Sequence, residues 1–159
     1  MKKLFLTMLC IMWMVLIFYN SSNNGKTSNE RSYHFLNDIR SEYKNEPKLL
    51  NSKLPSNNRE ERLNLVIRKN AHAFEYLVLA LLVSSAFFSF SFKGRGAVIY
   101  IMFICLFYAV TDEFHQMFVP GRTSLVSDVL IDFTGSLIGI FIFYFLYYKV
   151  IRGKHYSKV

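Results

Sequence analysis

Four apolar runs long enough to cross a membrane constrain this chain more than any other feature. They are Leu4–Tyr19, about Asn70–Phe92, Ala97–Phe118 and about Leu125–Tyr148. A hydrocarbon core about 30 Å thick is crossed by about 20 helical residues. In lipid a spanning helix satisfies its own backbone hydrogen bonds, which an open strand cannot do. The expected fold is therefore all-α, a polytopic membrane helix bundle with four transmembrane helices. Hydrophobic residues make up 52% of the 159-residue chain and fall in blocks, which argues against a soluble core.

The runs divide the chain into a first transmembrane helix (1–19), a polar loop (20–65) and a three-helix region (66–159), whose spans lie at about 70–92, 97–118 and 125–148. Leu4–Tyr19 is bulky to its end and is followed by Asn20-Ser21-Ser22-Asn23, without the small residues a signal-peptide cut requires. It reads as an uncleaved span, with Lys2–Lys3 below and Asn20 above. The polar loop carries 8 basic and 6 acidic residues up to Val66. Within it Tyr33–Tyr43 suits a short amphipathic helix on the membrane surface; a flexible connector fits the composition equally well. Cys10 and Cys105 lie inside apolar runs without metal-type spacing and read as inert thiols.

The net charge of +8 does not indicate nucleic acid, because many of the basic residues flank apolar segments at Lys2–Lys3, Lys93/Arg95 and Lys149–Lys158. These short flanks predict a topology with both termini in the cytoplasm. The loop 20–65 and the corner from Asp112 to Asp132 then lie on the extracytoplasmic side. Arg68 and Lys69 run against the positive-inside trend there, which marks them as candidates for a role.

Every acid and histidine of the hydrophobic part falls at that end. The chain has 11 Asp and Glu; six lie between Glu30 and Glu61, and the rest are Glu75, Asp112, Glu113, Asp128 and Asp132. Ionisable groups beside membrane spans are costly and usually face a bundle interior or a wet cavity. Helical spacing places Arg68, His72 and Glu75 on one face, Asp112 with His115 and Gln116 on another, and Asp128 one turn from Asp132. Gly135 and Gly139 continue that last stripe, with a spacing that allows close helix approach. Pro120-Gly121 breaks the chain between the third and fourth spans, Arg122 follows, and Thr123 or Ser124 can cap the next helix.

Three readings of this cluster remain open. The groups can lock the helices by salt bridges and hydrogen bonds. They can hold a divalent metal such as zinc, manganese or iron, with His72-x-x-Glu75 and Asp112-x-x-His115 as two facing arms. Or Arg68, Lys69 and Arg122 can grip a phosphate or carboxylate while the acids meet amines or hydroxyls. Tyr76, Phe114 and Phe118 suit an interfacial aromatic belt or an apolar flank for a lipid tail. Ser124, Ser127 and Ser136 lack a nucleophile-elbow motif; Asp128 or Asp132 with His115 can do acid–base work, but no nucleophile stands out.

Three motifs, Arg68–Tyr76 (RKNAHAFEY), Asp112–Arg122 (DEFHQMFVPGR) and Ser127–Gly139 (SDVLIDFTGSLIG), resemble the VanZ-like family of bacterial membrane proteins. The resemblance runs from about Asn64 to the C-terminus. Glu113, Gln116, Arg122, Asp128, Gly135 and Gly139 match the family's recurrent motif, while His72, Glu75, Asp112 and His115 match the form found in one large branch. The namesake lacks those histidines. The resemblance implies a small multi-pass protein of the bacterial cytoplasmic membrane, and the namesake's role in low-level teicoplanin resistance implies an action on the cell envelope. The expected partners are membrane lipids and a lipid-linked cell-wall precursor or the lipoglycopeptide itself. Binding or modifying envelope lipids or lipid-linked cell-wall precursors is the leading expectation; an intramembrane metal-dependent hydrolase acting on a lipid-linked substrate is the enzyme alternative.

Overall fold

The structure, a computed structural model, describes residues 1–44, 58–122 and 124–152. Five α-helices follow one another: α1 (Lys2–Ser21), α2 (Gly25–Lys44), α3 (Asn58–Ser89), α4 (Arg95–Gln116) and α5 (Val126–Phe145), the last continuing into π-helical turns over Leu146–Arg152. Four segments are long and apolar enough to cross a membrane: Lys2–Ser21, Glu61–Ser89, Arg95–Gln116 and Val126–Lys149. The all-helical, four-span expectation holds, with no strand among the described residues. Part of the polar loop (45–57), Thr123 and the end of the basic tail (153–159) lie outside the described residues.

Helix α3 is the centre of the bundle. It packs most extensively on α5 and also touches α1, α2 and α4, whereas α1 and α5 do not meet among the described residues. Lipid tails are as apolar as leucine, so spanning helices associate by close packing rather than by escape from water. The core shows this directly. Along α4 the fully buried positions are Ala97, Ile101, Cys105 and Ala109, a regular four-residue stripe of mostly small side chains. On α5 a Cβ at Gly135 would collide with the Ala73 carbonyl, and one at Gly139 with the Leu77 carbonyl. The two glycines therefore let the backbones of α3 and α5 touch. Large side chains such as Phe5, Met8, Phe103, Phe107, Leu130 and Phe141 point outward instead, giving far more exposed apolar surface than a water-soluble monomer carries.

At one end of the bundle Gly94, at φ +84°, opens α4, and Lys93 lies over the rings of Phe88 and Tyr147. The other end gathers the C-termini of α1 and α4 and the N-termini of α3 and α5. Two features there differ from the sequence-based expectation. α2 begins at Gly25, well before Tyr33, and packs against α3 with Ser32 buried. The N-cap position of α5 is Leu125, in extended conformation, with no capping side chain of its own. Its N–H donates to Glu113 Oε1 at 2.8 Å, which ties the start of α5 to α4; of the two cap candidates, Ser124 precedes the N-cap position and Thr123 lies outside the described residues.

Candidate functional site

Each buried stripe turns polar as it reaches this second end. On α4, Ala109 leads to Asp112, Glu113 and Gln116, all buried; on α5, Gly135 leads back to Asp132; on α3, Tyr76 leads back to His72 and Arg68. Helical periodicity alone brings these groups inward, because the polar residues occupy the same faces that pack below.

The end of α1 meets them. Asn20 Nδ2 donates to Glu75 Oε1 at 2.7 Å, and Ser21 Oγ donates to Asp112 Oδ2 at 2.8 Å. Gln116 Nε2 donates to the same Asp112 oxygen at 3.2 Å. Deeper down, Trp13 Nε1 donates to the Glu75 carbonyl at 2.9 Å, tying α1 to α3. Arg122 reaches in from the turn after α4. Its Nε donates to the Asn23 carbonyl at 3.2 Å and its Nη1 to Gln116 Oε1 at 3.1 Å, while Nη1 lies 3.5 Å from His72 Nε2. The turn is held over the site because Gly25 N–H donates to the Pro120 carbonyl at 3.2 Å. A Cβ on Gly25 would strike the Gly121 carbonyl, and Gly121 itself has φ +74°. Burial, with the neighbouring Arg68 charge, pushes the Arg122 guanidinium below its ordinary value, yet Asp112 and Glu113 favour its charged form.

Two adjoining cavities result. The first, about 100 Å³, is lined by Arg68, Lys69, His72, Glu113, Gln116, Arg122, Asp128 and Asp132 with Leu65, Leu125 and Ile131. The second, about 170 Å³, opens between α1, α2 and α3 and contains Asn20, Asn23, Ser28, Arg31, Ser32 and Glu75. Arg68, His72 and Arg122 border both. Lys69 is paired with Asp128 at 2.5 Å, both half-exposed. Arg68 and Arg122 form no ion pair among the described residues: Arg68 donates to Asn29 Oδ1 at 2.8 Å, and its Nε is buried without a hydrogen-bond partner.

Among the residues singled out from sequence, nine line the two cavities: Arg68, Lys69, His72, Glu75, Glu113, Gln116, Arg122, Asp128 and Asp132. Asp112 lies beneath Gln116, against Ser21. His115 goes elsewhere. Its ring packs tilted against Phe18 at a centroid distance of 4.1 Å, and it lines neither cavity. The two-armed metal arrangement divides accordingly: His72, Asp112 and Asp132 bring ligand atoms within 4.8 Å of one another, a grouping without Glu75 or His115. Tyr76 is fully buried at the bundle centre, which removes it from any interfacial belt, whereas Phe114 and Phe118 are exposed.

The contributions of Asn20, Ser21, Asn23 and Asn29 were missed in the sequence. For Asn20, Ser21 and Asn23 the one signal was position, a run of Asn and Ser directly after an apolar span, read as a headgroup-level boundary; Asn29, within α2, had none. Their function depends on which helix lies alongside.

A bundle of four apolar spans with a charged cavity at one end defines a multi-pass helical membrane protein. The VanZ/LLP1 family model matches residues 6–147, and the chain belongs to that family. The match is wider than the resemblance read from motifs, since it takes in α1 and the whole polar loop. No curated protein and no solved structure matches the chain.

Proposed function

We propose that this protein binds the anionic headgroup of an envelope lipid or lipid-linked cell-wall precursor, on the extracytoplasmic side of the bacterial cytoplasmic membrane. The observation that carries the reading is the pair Arg68 and Arg122. Two guanidiniums converge on one cavity from different elements, both bonded to neutral acceptors rather than neutralised by carboxylates. A guanidinium matches phosphate bidentately, so guanidiniums without a carboxylate partner beside a membrane-level cavity suit a phosphate ester. Lys69, already paired with Asp128, contributes less.

Size separates the expected partners. A cavity of about 100 Å³ is well below the roughly 300–1,000 Å³ of pockets that enclose drug-sized ligands. It suits a headgroup and leaves the lipid tail among the outward-facing apolar side chains. A lipoglycopeptide is too large, so any effect on teicoplanin runs through its membrane-anchored target. The basic flanks at Lys2–Lys3, Lys93/Arg95 and Lys149 support the orientation.

The test is lipid retention. Full-length protein is purified in mild detergent and incubated with short-chain phosphatidic acid or undecaprenyl phosphate, and binding is followed by native mass spectrometry. Wild type should retain one lipid. Arg122→Ala should weaken binding about tenfold or more, the cost of about one or two charge-assisted hydrogen bonds. Equal retention by both proteins would remove the headgroup reading. In a teicoplanin-sensitive Gram-positive host, wild type should lower susceptibility and Arg122→Ala should not, at matched membrane abundance.

A further inference from the structure

Asp112 is held in an unusual way. It is 2% exposed, and its Oδ2 accepts hydrogen bonds from both Ser21 and Gln116. Its Oδ1 is buried with no hydrogen-bond partner. One oxygen is thus oriented by two donors while the other is left bare. An unpaired buried carboxylate oxygen is costly, and each such group in a folded protein calls for an explanation. A few ångströms away stand two further groups from two other helices. Asp132 is also 2% exposed, and together His72, Asp112 and Asp132 place ligand atoms within 4.8 Å of one another.

We propose that His72, Asp112 and Asp132 form a site for a first-row divalent cation, of the zinc or manganese type. One imidazole and two carboxylates form a mixed nitrogen–oxygen donor set suited to such ions. The surroundings have the form of a supporting shell: hydrogen bonds from Ser21 and Gln116 orient the Asp112 carboxylate, and the His72 Nδ1 faces Glu75 Oε2 at 3.5 Å. The acids also outnumber the bases here: Glu75, Asp112, Glu113, Asp128 and Asp132 stand against Arg31, Arg68, Lys69 and Arg122, an excess of negative charge that a cation offsets.

This inference does not depend on the headgroup reading, and its test uses the metal alone. Full-length protein is stripped with chelator, and Zn²⁺ and Mn²⁺ are titrated separately by calorimetry, with bound metal counted after gel filtration. Wild type should bind one equivalent of at least one of the two ions and melt at a higher temperature with it than without it. Asp132→Asn should abolish this binding. Ser21→Ala, which removes a donor to Asp112 and an acceptor for Gln116 but no proposed ligand, should weaken it about tenfold. The metal-dependent melting of wild type needs no variant, so a misfolded mutant cannot obscure the result. No bound metal in wild type, or undiminished binding in a folded Asp132→Asn protein, overturns the site and assigns protons to the charge balance. If stripped protein still retains lipid through Arg122 while binding no metal, the cation site alone falls.

Discussion

At the scale of single residues, burial decides what a charge is worth. Lys69 and Asp128 form the shortest ion pair described, yet their side chains are 37% and 28% exposed. Exposed pairs gain little over their hydration, with a typical worth of about 0–1 kcal/mol. Arg122 has no ion pair but donates to Asn23, Gln116 and, at 3.5 Å, the Asn20 carbonyl. Removing it leaves those three oxygens without their donor. Thermal unfolding in detergent should therefore rank the variants against the charge-pair count: Lys69→Ala within about 1 kcal/mol of wild type, and Arg122→Ala destabilised by about 1–3 kcal/mol. The reverse order would place the structural weight on the surface pair.

At the scale of elements, the contact of α3 with α5 organises everything above it. Gly135 lies against the Ala73 carbonyl, one residue from His72, and three residues from Asp132. The backbone approach that these glycines permit is thus the same approach that brings Asp132 near His72. Gly135→Ala must push the helices apart, and overpacking of this kind costs about 1–3 kcal/mol. Leu137→Ala, on the exposed face of the same helix, serves as the control. Denaturant titration should show a clear loss for the first and little change for the second. Helix α5 also depends on α4 at its start, through the Leu125 N–H on Glu113. Glu113 therefore fixes the register of two helices as well as lining the cavity.

At the scale of the whole molecule, the bundle is polarised. One end carries Lys93 among aromatic rings, and the other carries the cluster of acids and guanidiniums. The proposed topology puts the second end outside the cell. Single cysteines at Ser127 and Lys93, both exposed, test it in a background where Cys10 and Cys105 are buried. A membrane-impermeant maleimide should label Ser127→Cys in intact cells, and Lys93→Cys only after permeabilisation. Labelling in the opposite order would put the cavity in the cytoplasm and remove the envelope reading.

The four helices were legible in the sequence because apolar length is a local property: a run that must satisfy its own backbone in lipid has one regular solution. The polar end of the bundle was legible for the same reason, since acids confined to the ends of spans have nowhere else to go. Which of them meet was not. Asp112 and His115 are three residues apart and both meet α1, yet one bonds Ser21 and Gln116 beneath the cavities and the other packs against Phe18 outside them. Spacing places both on one broad face of α4; only the position of α1 beside it decides what each one meets. The same holds for Asn20 and Ser21, which read as a boundary in the chain and act as donors to buried acids in the fold. A helix's periodicity states which side chains share a direction. What lies in that direction is set by the packing of its neighbours, through contacts tens of residues apart in the chain.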